Sequence, residues 1–345
     1  MLTTEEFKKH IEILSNGKYL SYDEGKSAFE YIMTGNATDI LISSFLTSLK
    51  IIFINSGISH DLIAAGADIM REKAIKIKAS DDTIDIVGTG GDGHNTLNIS
   101  TATALVISGT GIKVAKHGNY SASSMSGSAD VLISLGINIK NDISNVQKCL
   151  DECGICFLFA PKHHSAMKHV VGPRKEIGQK SIFNVLGPLT NPAGAKKQVM
   201  GVYDKRWMLP IAEVLRELGS EHLLIIHSED GLDEISIASK TYVTEMRENK
   251  ISEYVICPED FGFETTSLDE LIVNSPEESL EIAKSALKGE HKTAGAMVSM
   301  TAGAALYVSG ISGNLEDGIN LAKDCVAEGR GMTKLNQLVE FSSQF

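Results

Sequence analysis

Apolar positions recur at helical spacing through residues 1–72. Phe7, Ile11 and Leu14 share one face of a first helix; Ala28, Tyr31 and Ile32 share one face of a second. Each follows a capping-box pattern, Thr3-x-x-Glu6 and Ser21-x-x-Glu24, in which a hydroxyl and a carboxylate satisfy N–H groups that a helix start leaves unbonded. Asn16-Gly17 and Gly35-Asn36 interrupt the pattern, and further helices are predicted over 38–54 and 60–73. The period then changes. Thr83–Val87 is a short β-rich run leading into glycines, Asn98–Ser108 reads as a helix and Ile112–Ala115 as a second strand. That strand–loop–helix–strand unit predicts a parallel α/β sheet. Later strands are expected at Phe157–Ala160, Gln198–Tyr203 and His222–Ile226, with a helix over Leu209–Leu218. Residues 131–134 fit either a strand or a helix, 234–257 is strand-rich and partly antiparallel, and the C-terminal part is mainly helical. The fold class is α/β: a small helical domain beside a larger α/β domain with a mainly parallel central sheet.

Composition narrows the function. The chain has 345 residues, a net charge of −12 and 43% hydrophobic residues. It carries enough apolar material for a large core, and it lacks the basic face by which nucleic-acid or anionic-membrane binders are recognised. A single phosphate site remains compatible, because backbone N–H groups, a few lysines and a metal reverse the field locally. No basic-then-apolar leader opens the sequence, and serines and Lys50 interrupt the most apolar stretch, Ile40–Ile54; a cytoplasmic location is expected. The five cysteines are odd in number and sparse. Cys153-Gly-Ile-Cys156 has redox or zinc-half-site spacing, but no second pair completes it, and a helix end at Gly154 before a buried strand accounts for it better.

The glycine run is Gly88-Thr-Gly-Gly-Asp-Gly93. A dinucleotide fold needs an acid at the end of the second strand, where Ala115-Lys116-His117 stands, and a Walker loop needs Lys-Ser/Thr where His94-Asn95 stands. Glycines still let backbone amides approach an oxyanion, and the following helix start, Asn98-Ile99-Ser100-Thr101, adds an amide, two hydroxyls and the positive end of a dipole. Asn98 or Ser100 acting only as a cap explains one residue, not the cluster. Lys116-His117-Gly118-Asn119 falls at the carboxyl end of the second strand, where open α/β sheets bind ligands, and Ser121, Ser123, Ser124, Ser126 and Ser128 follow. Asp130 reads as a cap. This arrangement predicts a site for a multiply phosphorylated ligand.

Taken in order and spacing, Gly88–Asp92, Asn98–Thr101, Lys116–Asn119 and Ser126-Gly-Ser-Ala-Asp-Val-Leu132 resemble anthranilate phosphoribosyltransferases. So do Arg174-Lys-Glu-Ile-Gly178, running on into Ile182–Pro192, and Asp230-Gly-Leu-Asp-Glu-Ile235. The resemblance implies a nucleoside phosphorylase/phosphoribosyltransferase-like fold. It also implies transfer of phosphoribose from 5-phosphoribosyl 1-pyrophosphate (PRPP) to the amine of anthranilate in tryptophan biosynthesis. It places PRPP on Gly88, Gly91, Asp92, Thr96, Asn98, Ile99, Ser100, Thr101, Lys116, His117, Gly118, Asn119, Ser123, Ser124 and Ser128. It places anthranilate on Gly88, Asn119 and Arg174, and Mg2+ on Ser100, Asp233 and Glu234. No acid–base residue is implied, since an aromatic amine is a neutral nucleophile that needs positioning. His117 and His164 each fit the wall of the aromatic site or a packed, hydrogen-bonded position equally well.

A homodimer is implied, with no nucleic-acid or membrane partner. The expected division is 1–72, joined by 172–194, against 73–171 and 195–345. The sequence departs from the family pattern at Tyr120, where arginine is usual, at Ser165, where proline is usual, and over 50–58. Two alternatives are disfavoured. A pyrimidine nucleoside phosphorylase needs a Lys-x-Ser-x-Gly-Gly loop that is absent, and a silent nucleic-acid-binding relative sits poorly with the charge of −12.

Overall fold

The computed structural model describes residues 2–120 and 127–345. Four helices open the chain: α1 (Thr4–Ser15), α2 (Tyr22–Met33), α3 (Asp39–Ser56) and α4 (His60–Lys73). Both capping boxes form. Thr3 N–H donates to Glu6 Oε2 at 2.7 Å, and Ser21 N–H to Glu24 Oε2 at 2.8 Å. The bundle closes on an aromatic chain, Phe7–Phe45–Phe29–Phe183, with successive ring centroids 5.4, 5.7 and 6.0 Å apart. Full burial of one such ring stabilises by about 1.5–3 kcal/mol. Among the described residues α3 alone is long and apolar enough to cross a membrane. Its buried face, including Ile42, Phe45, Leu49 and Phe53, lies in the bundle core.

Seven strands form one sheet: β1 (Ile84–Gly88), β2 (Val114–Gly118), β3 (Ile155–Phe159), β4 (Lys197–Gly201), β5 (His222–Ser228), β6 (Thr241–Arg247) and β7 (Lys250–Ile256). Their order is 3-2-1-4-5-6-7, with β1–β5 mutually parallel and β6 and β7 antiparallel. Both faces are covered, so the parallel strands are nearly all apolar while side chains alternate between two cores. Ile86, Val199, Leu224 and Ile226 face the core built with helix α5 (Ile99–Ser108) and the C-terminal helices. Val87, Met200, Leu223 and Ile225 face the other core, shared with helix Met208–Glu217 and the N-terminal bundle. Val170, Phe183, Val185 and Leu186 join that second core, so the segment after β3 packs against α1–α4.

Two expectations need correction, and one open alternative is resolved. The second strand is Val114–Gly118, not Ile112–Ala115, because its pairing with β3 runs on to Gly118↔Phe159. Lys116, His117 and Gly118 are thus strand residues, and consecutive side chains project from opposite faces. Residues 131–134 lie in a helix, Ser128–Ser134, whose start is held by Asp130 Oδ2 accepting from Gly127 N–H at 2.8 Å. The strand expected over Gln198–Tyr203 stops at Gly201. Gly154 ends helix Ile143–Cys153 with φ 71° before β3, as the spacing of the cysteines suggested. Cys149, Cys153 and Cys156 are buried free thiols whose acidity burial suppresses, Cys149 being pushed up to about 11.

Candidate active site

The sheet order reverses direction between β1 and β4, and such a switch point opens a crevice at the carboxyl ends of the strands. Both strands end there in glycine for a steric reason. A Cβ on Gly88 would lie 2.5 Å from Asp233 Oδ2, and one on Gly201 would lie 1.6 Å from the Asp233 carbonyl oxygen. The turn carrying Asp233 and Glu234 therefore rests directly on the two strand ends. Asp233 Oδ2 accepts from Gly90 N–H at 2.7 Å, which ties this turn to the glycine-rich loop. Gly90, Gly91 and Gly93 have φ of 61°, 76° and 88°, a region closed to most side chains. Asp92 Oδ1 accepts from His94 N–H at 3.0 Å and folds the loop back. Thr96 pairs antiparallel with Ile272, a bridge the sequence did not announce.

At the start of α5, Asn98 Oδ1 accepts from Thr101 N–H at 3.0 Å and from Ser100 Oγ at 3.2 Å. Ser100 N–H donates to Glu234 Oε1 at 3.1 Å, so a carboxylate sits at the positive end of the helix. Lys116 Nζ, 3% exposed, donates to Ser100 Oγ at 3.0 Å and to the Ile86 carbonyl at 2.7 Å. Gly88, Gly90, Asn98, Ser100, Lys116, Asp233 and Glu234 are thereby joined in one network. Ile99 is buried beneath it.

Charge in this network is unbalanced. Burial, reinforced by Asp92, pushes the Asp233 carboxyl up; burial and Asp233 do the same to the half-buried Glu234. Burial pushes Lys116 down against the pull of Asp85, Glu234 and Asp233. Three carboxylates thus face one desolvated ammonium. Among the described residues no three His, Cys, Asp or Glu side chains are placed to ligate a metal by themselves. The donor set fits a hard divalent cation that completes its shell with ligand phosphate oxygens and water, the habit of magnesium.

The neighbouring wall is different. His117 projects to the opposite face from Lys116, and its ring centroid lies 5.1 Å from that of His164. Burial first, then repulsion from neighbouring imidazoles (His164 and His163 on His117, His163 on His164), keeps both neutral: His117 falls well below its usual value and His164 falls to about 4. Nε2 of each ring is buried without a hydrogen-bond partner among the described residues. His117 N–H donates to Asp85 Oδ1 at 3.1 Å. Asp85 is fully buried, its carboxyl raised to about 6 by desolvation, and it accepts from Gln198 Nε2 at 3.3 Å. Gln198 also donates to the Pro188 carbonyl, and Asn191 donates to that of Ala115, which fixes segment 188–191 against the sheet. Sequence reasoning missed Asp85, Asn191 and Gln198; the signal was an acid inside the apolar run Ile84-Asp-Ile-Val87.

Gly118 is required because a Cβ there would meet Ser128 Oγ at 2.1 Å. Ser128 Oγ donates to the carbonyl of exposed Asn119 at 3.3 Å. Tyr120 packs edge-on against Phe159, centroids 5.1 Å apart. Arg174, on helix Lys168–Ile177, is half-buried over the Phe183 ring and donates to Asn184 Oδ1 at 3.3 Å. No hydrogen bond among the described residues joins Arg174 or Asn119 to the carboxylate network. Ser123 and Ser124 lie outside the described residues.

Residues 80–332 match the family model described as glycosyl transferase family, a/b domain, and residues 8–74 match that of the helical bundle domain. The chain is 48% identical over 343 residues to the anthranilate phosphoribosyltransferase of a Marinomonas species, covering 99% of this chain and 98% of that one. It is 46% identical to the one from Saccharophagus degradans, covering 97% and 99%. The crystal structure of the Thermus thermophilus enzyme superposes with a TM-score of 0.90 at 37% identity, covering 97% of this chain and 99% of that one. The Saccharomyces cerevisiae enzyme in complex with PRPP and Mg superposes with a TM-score of 0.89 at 28% identity, covering 99% of each. With its site at the β1–β4 switch point and this likeness running the full length of both domains, the chain belongs to the anthranilate phosphoribosyltransferase family.

Proposed function

We propose that this protein transfers the 5-phosphoribosyl group from PRPP to the amine of anthranilate, giving N-(5-phosphoribosyl)anthranilate and pyrophosphate. The observation that carries the reading is the pair Asp233 and Glu234, packed on the glycine loop with too little positive charge around them. Asp233, Glu234 and Ser100 Oγ would hold magnesium, which would supply charge neutralisation for the departing pyrophosphate. Amides of the Gly88–Gly93 loop and of the α5 start, with Lys116, Asn119 and Ser128, bind the phosphates and ribose. These dipoles are fixed before reaction, so they stabilise developing charge without reorganising. On the other wall Arg174 takes the anthranilate carboxylate in its guanidinium fork. Gly88 and Asn119 border that acceptor, and neutral His117 and His164 line it; the amine, itself neutral, attacks the anomeric carbon as the bond to pyrophosphate breaks and then loses its proton to solvent. The direct check is anthranilate fluorescence: it should fall only when PRPP and magnesium are both present, and loss of signal with PRPP alone after chelation would refute the metal role.

We further assign residues 1–72 with 172–194 to one domain and 73–171 with 195–345 to the other, on the strength of the core that α1–α4 share with Phe183, Val185 and Leu186. A cytoplasmic homodimer is proposed as well. It is supported by Ile40, Ile51 and Ile54, exposed by 78%, 54% and 56% on one side of α3. Ile51→Lys with Ile54→Lys should yield monomers in sedimentation; an unchanged dimer would move the interface elsewhere.

A further inference from the structure

The edge of the sheet opposite the active site carries a second cleft, of about 740 Å³, which falls in the size range of small-molecule sites. Lys113, immediately before β2, forms one side. The extended linker from α4 to β1 forms another, with Lys76, Lys78 and Ser80, and helix Ile143–Cys153 closes it.

Three lysines line this cleft on a chain whose net charge is −12. Among the described residues none of the three side chains makes a hydrogen bond or a salt bridge within 4 Å; Lys113 feels Asp82 only through space. The one acid lining the cleft, Asp151, is engaged by Gln147 Nε2 at 3.1 and 3.2 Å. Asp81, next along the linker, is taken by Lys196 at 3.1 Å. Three lysines against one lining acid leave the cleft net positive. The floor is apolar, with Ile77, Ile143 and Leu150, and suits an organic body rather than a bare ion.

The linker itself is held by backbone contacts that a ligand would reinforce. Gln147 Oε1 accepts from Lys78 N–H at 2.8 Å, and Gln147 Nε2 donates to the Lys78 carbonyl at 2.9 Å. Ile75 N–H donates to the His163 carbonyl at 2.8 Å, and Ile77 N–H to that of Pro192 at 3.2 Å. These are the bonds that fix the helical bundle's exit onto the α/β sheet.

We propose that this cleft is a second ligand site, taking a small organic phosphate whose anionic group is gripped by Lys76, Lys78 and Lys113 and whose body lies on Ile77 and Leu150. Occupancy ties the linker to the start of β2 and stiffens the joint between the two parts of the chain. The site is independent of the proposed transfer reaction, since none of its residues touches the carboxylate network.

The test is calorimetric titration of the full chain with adenosine monophosphate, in parallel with inorganic phosphate, followed by hydrogen exchange at the linker amides. Saturable binding of the nucleotide is expected, tighter than that of inorganic phosphate. Affinity should fall at least about tenfold, ~1.4 kcal/mol, in the triple variant Lys76→Ala, Lys78→Ala, Lys113→Ala. Amides of Ile77 and Lys78 should exchange more slowly when ligand is bound, with anthranilate turnover of the variant unchanged. Lys78→Glu alone should weaken binding through charge. Heat that does not saturate, or an affinity indifferent to these lysines, would overturn the proposal. Inorganic phosphate binding as tightly as the nucleotide would overturn the organic body.

Discussion

On the Gly88 side of the cleft, Asp233, Glu234, Ser100 and Lys116 bond one another or the backbone. On the His117 side, two imidazole nitrogens are buried with no hydrogen-bond partner among the described residues. The first wall gathers charge and fixes it with short bonds; the second excludes charge by desolvating weak bases. On the proposed reading, the difference follows from what each side does. Expelling a pyrophosphate needs dipoles and cations already in place, because reorienting them during reaction forfeits their benefit. Accepting an aromatic amine needs neutral surroundings that neither protonate it nor compete for its carboxylate.

Removing charge from the first wall should have the largest effect. Asp233→Asn with Glu234→Gln is expected to lower kcat by about 10³-fold, the scale set by losing preorganised electrostatic groups. The fold should persist, and the thermal midpoint should hold or rise, because replacing buried unpaired charge is often neutral or stabilising. Steady-state rates over a magnesium titration, with calorimetry on the same samples, check both parts. A variant that lost activity by unfolding would show instead that the carboxylates are structural.

Adding charge to the second wall comes next. His164 has a folded value of about 4 against an ordinary 6.5, so its neutral form favours the native state. That stability is complete above pH 6.5 and is lost as pH falls toward 4, up to about 3 kcal/mol at 1.36 kcal/mol per unit. Denaturant midpoints for wild type should therefore drop over this window, and His164→Asn should flatten the drop. Equal slopes for the two proteins would mean that the rings are hydrated.

The two walls were unequally legible in the sequence. Glycines at 88, 90, 91 and 93 and the cap at Asn98 are local requirements of backbone geometry, so they stand out in a linear reading. So does the helix stop at Gly154. What could not be read is depth. Lys116 was placed just past the end of the second strand, and only strand pairing through Gly118 shows it inside the strand and buried beside α5. Asp85, Gln198 and Asn191 lie 113 and about 106 positions apart from the first and meet only through sheet topology, which no local pattern encodes. The departure at Tyr120 was visible, but not that its ring packs against Phe159.

Arg174 sharpens the contrast on the acceptor side. Arg174→Ala should raise the KM for anthranilate about 10–100-fold, matching ~1.5–3 kcal/mol for a hydrogen-bonded charge, with the KM for PRPP unchanged. Arg174→Lys should recover only part, because a point charge cannot match the fork. Substrate-saturation curves for both substrates decide it; a rise in the KM for PRPP alone would place Arg174 on the donor side.

The smallest effect should come from Asn98, where cap and site coincide. Asn98→Ala removes the acceptor for Thr101 N–H and for Ser100 Oγ together. As a cap alone it would cost about 1 kcal/mol of stability and leave kinetics untouched. Because Ser100 Oγ also receives the Lys116 ammonium, losing Asn98 frees that hydroxyl to turn and should raise the KM for PRPP a few-fold without altering that for anthranilate. Asn98→Asp keeps the acceptor but adds a fourth carboxylate to a network short of positive charge, so it should restore the cap and still leave PRPP binding impaired. If Asn98→Asp instead restored both, the shortage of positive charge around Asp233 and Glu234 would be smaller than their burial implies, and the contrast between the two walls would rest on geometry rather than on charge.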